Sequence, residues 1–308
     1  MACTTPQHTH PEHDHAGPDA AAEAAFAELL ELDGQVLRGY WTQALTWVRQ
    51  AATDNRRRQA PTDNRRRQAP TDHRRILDLG AGSGVGTIAL AQRFGGAEVI
   101  AVDASEQLLK RIRVKALDLG LADRVRTVQV DLDHAWPAVG PIDITWASMS
   151  LHHLADPDRA LREVFAATRP GGLIAVAELG EPLRFLPHEL GFGRPGLEER
   201  CLEALGRQHA DLLPELGTCW AARLEAAGFT LLGERTLTIE QDPPHPAGTG
   251  RYAQLWLDRM RSGLAGRLAA DDLAALTTLL DGTGPLSLRG RADLRLRGAR
   301  TVTLARRP

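Results

Sequence analysis

The stretch ILDLGAGSGVGTIALA, residues 76–91, reads as a short apolar strand, a glycine-dense turn and the apolar start of a helix. Gly80, Gly82 and Gly84 stand at alternate positions, where the missing Cβ permits positive φ and lets backbone N–H groups come close to a ligand. The helix that follows points its positive end into the same space. A phosphate-binding P-loop needs a lysine followed by Ser or Thr, and no lysine precedes Lys110, so that class is excluded. A dinucleotide fingerprint counted from Gly80 needs glycine at position 85, where Val85 stands. The offset match from Gly84 to Ala89 starts four residues past the strand. A nicotinamide cofactor is thereby demoted.

Outward from this loop, apolar strands alternate with amphipathic helices. Strands are expected at 76–79, 98–102, 125–130, 142–147 and 173–178, and helices at 84–94, 106–119 and 157–168. Ser105 can N-cap the second helix and Gly120 can end it; Asp156-Pro157 gives a cap and a first-turn proline. Such alternation implies parallel pairing through right-handed crossovers, hence an open doubly wound α/β sheet. A helix at 218–227 and strands at 229–239 and 301–305 continue it to seven strands, mostly parallel and Rossmann-like.

Three aspartates fall on the edge where open α/β sheets bind ligands. Asp78 lies inside the first strand, where a carboxylate is costly unless partnered; it can accept from the glycine-loop amides or pair with a ligand ammonium. Asp103 ends VIAVDAS, 23 residues beyond Gly80, and a carboxylate there can accept from both hydroxyls of a ribose. Asp131 ends VQVDLD, placed to accept from an adenine amino group with Leu132 against the ring. Each alone would read as a cap or surface charge; three at successive strand ends read as a site.

In this order, ILDLGAGSG, VDAS, VDLD, DITWASMSLHHL and RPGG before LIAVAEL, the chain resembles the class I S-adenosylmethionine-dependent methyltransferases of small-molecule type, over about residues 75–180. The resemblance implies an S-adenosyl-L-methionine cofactor and a small-molecule acceptor. It also implies that Gly80, Gly82 and Gly84, with Ala81, line the methionine and ribose. Asp103, beside Ala104, would bind the ribose diol, Asp131 and Leu132 would hold adenine, and Ser148 would lie near the methionine end. Asp78 joins this set. A sulfonium cation without phosphates asks for carboxylates and close backbone, which this edge supplies. His152, in SLHHLADPD, is the candidate general base if the acceptor must lose a proton, since a His serves so at a comparable place in some O-methyltransferases of the family. His153, Glu178, Glu181 and His188 are further cleft candidates. A nicotinamide-dependent oxidoreductase and a non-catalytic S-adenosylmethionine-binding regulator are the alternatives.

The flanks are less informative. Residues 1–18 form a polar, His-rich tail whose His8, His10, His13 and His15 have no rigid frame, so no metal site is assigned. Residues 19–52 carry helical apolar spacing interrupted at Asp33-Gly34, predicting two helices that cap the sheet. Tyr40, Trp41 and Trp47 of the second are expected to pack on the main domain. Residues 53–75 hold TDNRRRQAP twice, then TDHRR, and read as a duplicated, Arg-rich linker. Beyond the 76–180 core, residues 181–308 complete the sheet with helical insertions, including stretches at 252–264 and 270–280, that roof the acceptor pocket. Arg184, Phe185, Arg194, Tyr252 and Trp256 are possible lining residues.

Composition sets the outer bounds. The 308 residues, 43% hydrophobic, can bury a full core, which excludes a mini-protein. A net charge of −2 argues against a nucleic-acid binder, no stretch is apolar enough for a membrane span, and the polar start lacks a signal sequence. Cys3, Cys201 and Cys219 suit inert reduced thiols. A soluble cytoplasmic protein is expected.

Overall fold

In the computed structural model, residues 20–59, 74–212, 215–281 and 284–308 are described. The His-rich tail, the second copy of the repeat and Cys3 lie outside them. Five strands, β1 (Arg75–Leu79), β2 (Glu98–Asp103), β3 (Val125–Gln129), β4 (Ile142–Ser148) and β5 (Thr168–Arg184), pair in parallel in the order β3-β2-β1-β4-β5. β7 (Leu296–Arg306) then inserts antiparallel between β5 and β6 (Thr230–Gln241), so β6 runs the same way as β5. Parallel neighbours need long crossovers. These are α3 (Val85–Arg93), α4 (Glu106–Asp118), α5 (Pro157–Ala167) and α7 (Trp220–Ala226). Ser105 accepts from the Leu108 amide at 3.3 Å and Asp156 from the Arg159 amide at 2.8 Å, as the sequence leads one to expect of N-caps. Strand alternation divides the core. Ile76, Ile144, Trp146 and Ala175 face the terminal helices, while Leu77, Leu79, Ala147 and Ile174 face α5 and α7.

Three boundaries differ from expectation. β7 starts at Leu296 rather than near 301, because it pairs along the whole of β6 as well as β5. Helix α6 (Leu197–Leu212), which the sequence reading left unassigned, precedes α7, and α8 (Thr249–Gly263) and α9 (Ala270–Asp281) occupy the β6–β7 insertion. At the N-terminus, α1 (Ala20–Val36) and α2 (Arg38–Gln59) meet at Leu37, not at Asp33-Gly34, and α2 runs seven residues into the stretch expected to be linker.

Packing explains why Asp33-Gly34 sits inside a helix. A Cβ on Gly34 would come within 2.6 Å of Val85 Cγ1, so glycine here lets α1 lie directly on the start of α3. Asp33 turns inward. Its buried carboxylate accepts from Trp41 Nε1 (3.1 Å), the Tyr252 hydroxyl (2.9 Å) and both terminal nitrogens of Arg300, the Nη1 bond being 3.1 Å. One side chain thus ties α1 to α2, α8 and β7, and Arg300 also lies over the Tyr40 ring at 5.0 Å. Outside this knot, α1 is pinned by the paired Glu28–Arg251 contact, 2.7 Å and 2.8 Å, and by Arg111 and Lys115 of α4 around Glu31.

Removing one member of a buried ion pair leaves the other uncompensated, at about 3–5 kcal/mol. Asp33→Asn is accordingly expected to lower unfolding free energy in a urea titration by that amount. The double change Asp33→Leu with Arg300→Met should recover most of the loss; a single variant as stable as the wild type would remove the pair from this role.

Candidate active site

The glycine loop between β1 and α3 is left-handed at three places, with φ of +69° at Gly80, +54° at Gly82 and +81° at Gly84. The amides of Gly80, Ala81, Gly82 and Gly84 are spent within the protein. Those of Gly80 and Ala81 both donate to the Val102 carbonyl at 2.9 Å, and that of Gly84 donates to the Ala81 carbonyl. The Gly82 amide donates to Asp103 Oδ2 at 2.8 Å, and the Ser105 amide to Oδ1 at 2.9 Å. This corrects the expectation that loop N–H groups reach out to a ligand. A loop whose donors are satisfied internally suits a cation better than a phosphate. Asp103 stays half-buried at the tip of β2, and Ala104 beside it is exposed.

Asp78 lies fully beneath the loop. Its Oδ2 accepts from Thr87 Oγ1 at 2.6 Å, and the Thr87 amide also reaches the carboxylate, so it holds the first turn of α3 from the neighbouring strand. The sequence left it to accept from the glycine-loop amides or to meet a ligand ammonium; its partner in the structure is instead Thr87 of α3. Burial above all, with the charge of Asp103 adding, pushes its carboxyl up to about 7 against the pull of the Thr87 bonds.

Asp131 is exposed and turned toward its own loop: Oδ1 accepts from the Asp133 amide at 2.9 Å and Oδ2 pairs with His134 Nδ1 at 2.9 Å, holding its carboxyl below the usual range. Leu132 is buried next to it. Ser148 ends β4, half-buried, with the buried Tyr40 hydroxyl of α2 beside it.

The turn after β4 is tightly built. Met149 takes φ of +53°, an unusual conformation for a residue with a side chain. Ser150 Oγ donates to the Leu79 carbonyl at 2.8 Å and packs so closely on Gly80 that a Cβ there would lie 2.4 Å from its own Cβ. Behind the turn stands Glu178 of β5. It is buried and accepts from the Ser150 and Leu151 amides at 3.3 and 3.1 Å through Oε1, and from His152 Nδ1 at 2.5 Å through Oε2. A carboxylate only accepts, so Nδ1 carries the hydrogen in this bond and the ring orientation is fixed by it. The His153 ring packs against that of His152, centroids 4.0 Å apart and planes tilted by 44°. Burial first, then the positive charges of His152, Arg259 and His209, hold its pKa well below the ordinary histidine value.

Helix α1 closes the edge from above. Leu30 Cδ1 would meet a Cβ on Gly82 at 3.1 Å.

A family model described as a methyltransferase domain matches residues 76–172, from β1 into β5. Residues 76–172 thus carry a methyltransferase domain. The chain is 35% identical over 113 residues to the ubiquinone biosynthesis O-methyltransferase of Bordetella avium, covering 36% of this chain and 46% of that protein. It is 30% identical over 110 residues to the ubiquinone/menaquinone biosynthesis C-methyltransferase of Idiomarina loihiensis, covering 35% and 44%. The match thus spans less than half the length of these relatives, whose names divide between methylation at oxygen and at carbon. The fold extends further than the sequence likeness. A solved Bacillus halodurans protein, provisionally named a methyltransferase, shares it over 78% of this chain and 95% of its own, with a TM-score of 0.50 at 19% identity.

In the methyltransferase domain, the glycine loop, Asp103, Ser148 and the His152 turn come together at the carboxyl ends of β1, β2 and β4. Glu181 and His188, expected to face the cleft, are exposed, His188 lying 3.7 Å from Glu199. Among the lining residues expected in the insertions, Phe185 and Tyr252 are core, Arg184 is exposed and Arg194 pairs with Asp272. Trp256 lines a cavity between α6 and α8. Sequence reasoning missed Ser150, whose bond to the Leu79 carbonyl spans a 71-residue separation, and Leu30. No local pattern marks either. Among the described residues, no group of three or more His, Cys, Asp or Glu is arranged to hold a metal, and no helix is long and apolar enough to cross a membrane.

The raised carboxyl of Asp78 carries a sign. Folding binds its proton more tightly than the unfolded chain does, so its stabilising effect is present below pH 4 and is lost as pH rises toward 7. Asp78→Asn, which does not titrate, should gain stability relative to wild type between pH 4 and 7 in parallel denaturant titrations. A constant difference across that range would contradict the assignment.

Proposed function

We propose that the protein moves a methyl group from S-adenosyl-L-methionine to a small-molecule acceptor, with oxygen and nitrogen ranked ahead of carbon as the acceptor atom. S-adenosyl-L-methionine is the cofactor of the family, and when bound it supplies an electrophilic methyl on a sulfonium. The residues fit that group. The loop offers no free lysine or arginine and few free amides, which is right for a ligand without phosphates, and Asp103 stands half-exposed at the neighbouring strand tip. In this reading Gly80, Ala81, Gly82 and Gly84 border the methionine and ribose, Asp103 with Ala104 the ribose hydroxyls, Asp131 with Leu132 the adenine, and Ser148 the methionine end. Asp78 acts from below by fixing α3.

The observation that carries the acceptor side is the His152–Glu178 pair. A buried carboxylate that accepts from two turn amides and from Nδ1 fixes the ring orientation, with Nε2 as the proposed base. A hydroxyl or protonated amine needs such a base to take up the proton that methylation releases. Transfer itself is an in-line displacement, so alignment and exclusion of water supply the rest; α1 covers the loop on that side.

Asp103→Ala should weaken S-adenosylhomocysteine binding by about 1.5–3 kcal/mol in titration calorimetry, with circular dichroism unchanged. A loss under about 0.3 kcal/mol would take Asp103 out of the site. Tight NADH binding with no heat from S-adenosylhomocysteine would reject the reading altogether. With a product identified by mass spectrometry after incubation of a cell extract with isotopically labelled donor, His152→Ala should lower kcat by about 100-fold or more. Its dissociation constant for S-adenosylhomocysteine should stay within about twofold. Unchanged kcat would mean that the acceptor needs no base.

A further inference from the structure

Helices α6 and α8, both following strands at the carboxyl edge of the sheet, border an open cavity of about 510 Å³. That is the size of a small-molecule site. Its wall combines apolar Leu205 and Met260 with His209, Trp256 and Arg259. The polar members are donors or cations. Arg259 is exposed, lies with its guanidinium 4.7 Å from the Phe26 ring of α1, and forms no ion pair with a carboxylate among the described residues. This is unusual in its neighbourhood, where Arg251 is paired with Glu28 and Arg261 with Asp258 and Asp281. Trp256 has a buried Nε1 without a partner, a donor that folding has removed from water and not satisfied. Gln208, by contrast, already donates to the Gly263 carbonyl. Phe26, under Arg259, lies one turn of α1 before Leu30, which stands over Gly82, so α1 brings this wall to within about a helical turn of the glycine loop.

We propose that this cavity is the acceptor subsite and that it selects organic acids: an apolar or aromatic body rests against Leu205, Trp256 and Met260 while a carboxylate is held by Arg259 and the Trp256 Nε1–H. The inference rests on the methyltransferase reading and names the substrate class for that same site. One guanidinium and one indole N–H form a donor set of the size a planar carboxylate uses. A phosphate, with three charged oxygens, would turn at least one toward Leu205 or Met260 at a desolvation cost. Arg259 thus acts as a specificity residue: it binds a part of the substrate remote from the methyl acceptor atom, and its cation above the Phe26 ring links occupancy of the cavity to the α1 roof.

The test is thermal-shift and calorimetric titration of the full chain saturated with S-adenosylhomocysteine. The probes are matched pairs of acid and amide, phenylacetate with phenylacetamide, cinnamate with cinnamamide, 4-hydroxybenzoate with its amide and octanoate with octanamide, together with phenyl phosphate. At least one acid should bind tenfold or more tighter than its amide. Arg259→Gln should remove that preference, Arg259→Lys should restore part of it, and Trp256→Phe should weaken the acid several-fold while leaving the amide unchanged. S-adenosylhomocysteine affinity should stay within twofold in all three variants. Failure of every acid to bind, equal binding of acid and amide, or phenyl phosphate binding more tightly than any acid would overturn the assignment. Failure of S-adenosylhomocysteine to bind the wild-type chain would instead overturn the methyltransferase reading beneath it.

Discussion

The rest of the molecule depends on the burial of one carboxylate. Asp33 accepts four hydrogen bonds from three other elements, and its charge is matched by Arg300 in the middle of β7. Taking both charges out of water is expensive, and the cost is offset only when the geometry satisfies nearly every lone pair. That requirement fixes α1 and α8 in one arrangement against the sheet. Leu30 then stands over Gly82, and Phe26 under Arg259, because α1 has no freedom to be elsewhere. A purely apolar interface of the same size would tolerate sliding. An ion pair with four ligands does not.

The carboxyl edge of the sheet uses its acidic groups for different ends according to depth. Asp78 and Glu178 are buried and work on the protein: one holds the start of α3, the other the turn after β4 and the ring of His152. Asp103 is intermediate. It fixes the glycine loop through the Gly82 amide and keeps a face toward solvent. Asp131 is outermost, satisfied by its own turn. Burial therefore sorts groups that are chemically alike into supports and contacts, and it raises the pKa of the deepest while local hydrogen bonds lower that of the outermost. The left-handed Met149 lies where the two kinds meet, between Ser148 and the amides that Glu178 receives. Strain at such a position is held by its surroundings.

Much of this was legible from residue order. The strand, the glycine turn and the helix at 76–91, the caps at Ser105 and Asp156 and the seven strands follow from local chemistry, since apolar periodicity, missing Cβ atoms and capping side chains act over a few residues. His152 could be picked out as a titratable group after the fourth strand. Its orienting partner, 26 residues on, could only be grouped with other acidic residues near the cleft. The Asp33-Gly34 pair shows the limit most plainly: read locally it stops a helix, whereas in the fold the glycine admits Val85 and the aspartate meets Arg300, 267 residues away.

The sequence by itself determined the α/β alternation, the glycine loop and the acidic strand tips, because each is encoded by neighbours along the chain. Only the tertiary structure decided which loop amides remain free, which carboxylates are buried, where α1 lies, and that an arginine without an acidic partner borders a cavity between α6 and α8. Those depend on desolvation and on contacts between distant elements, and neither is a property of any short stretch of residues.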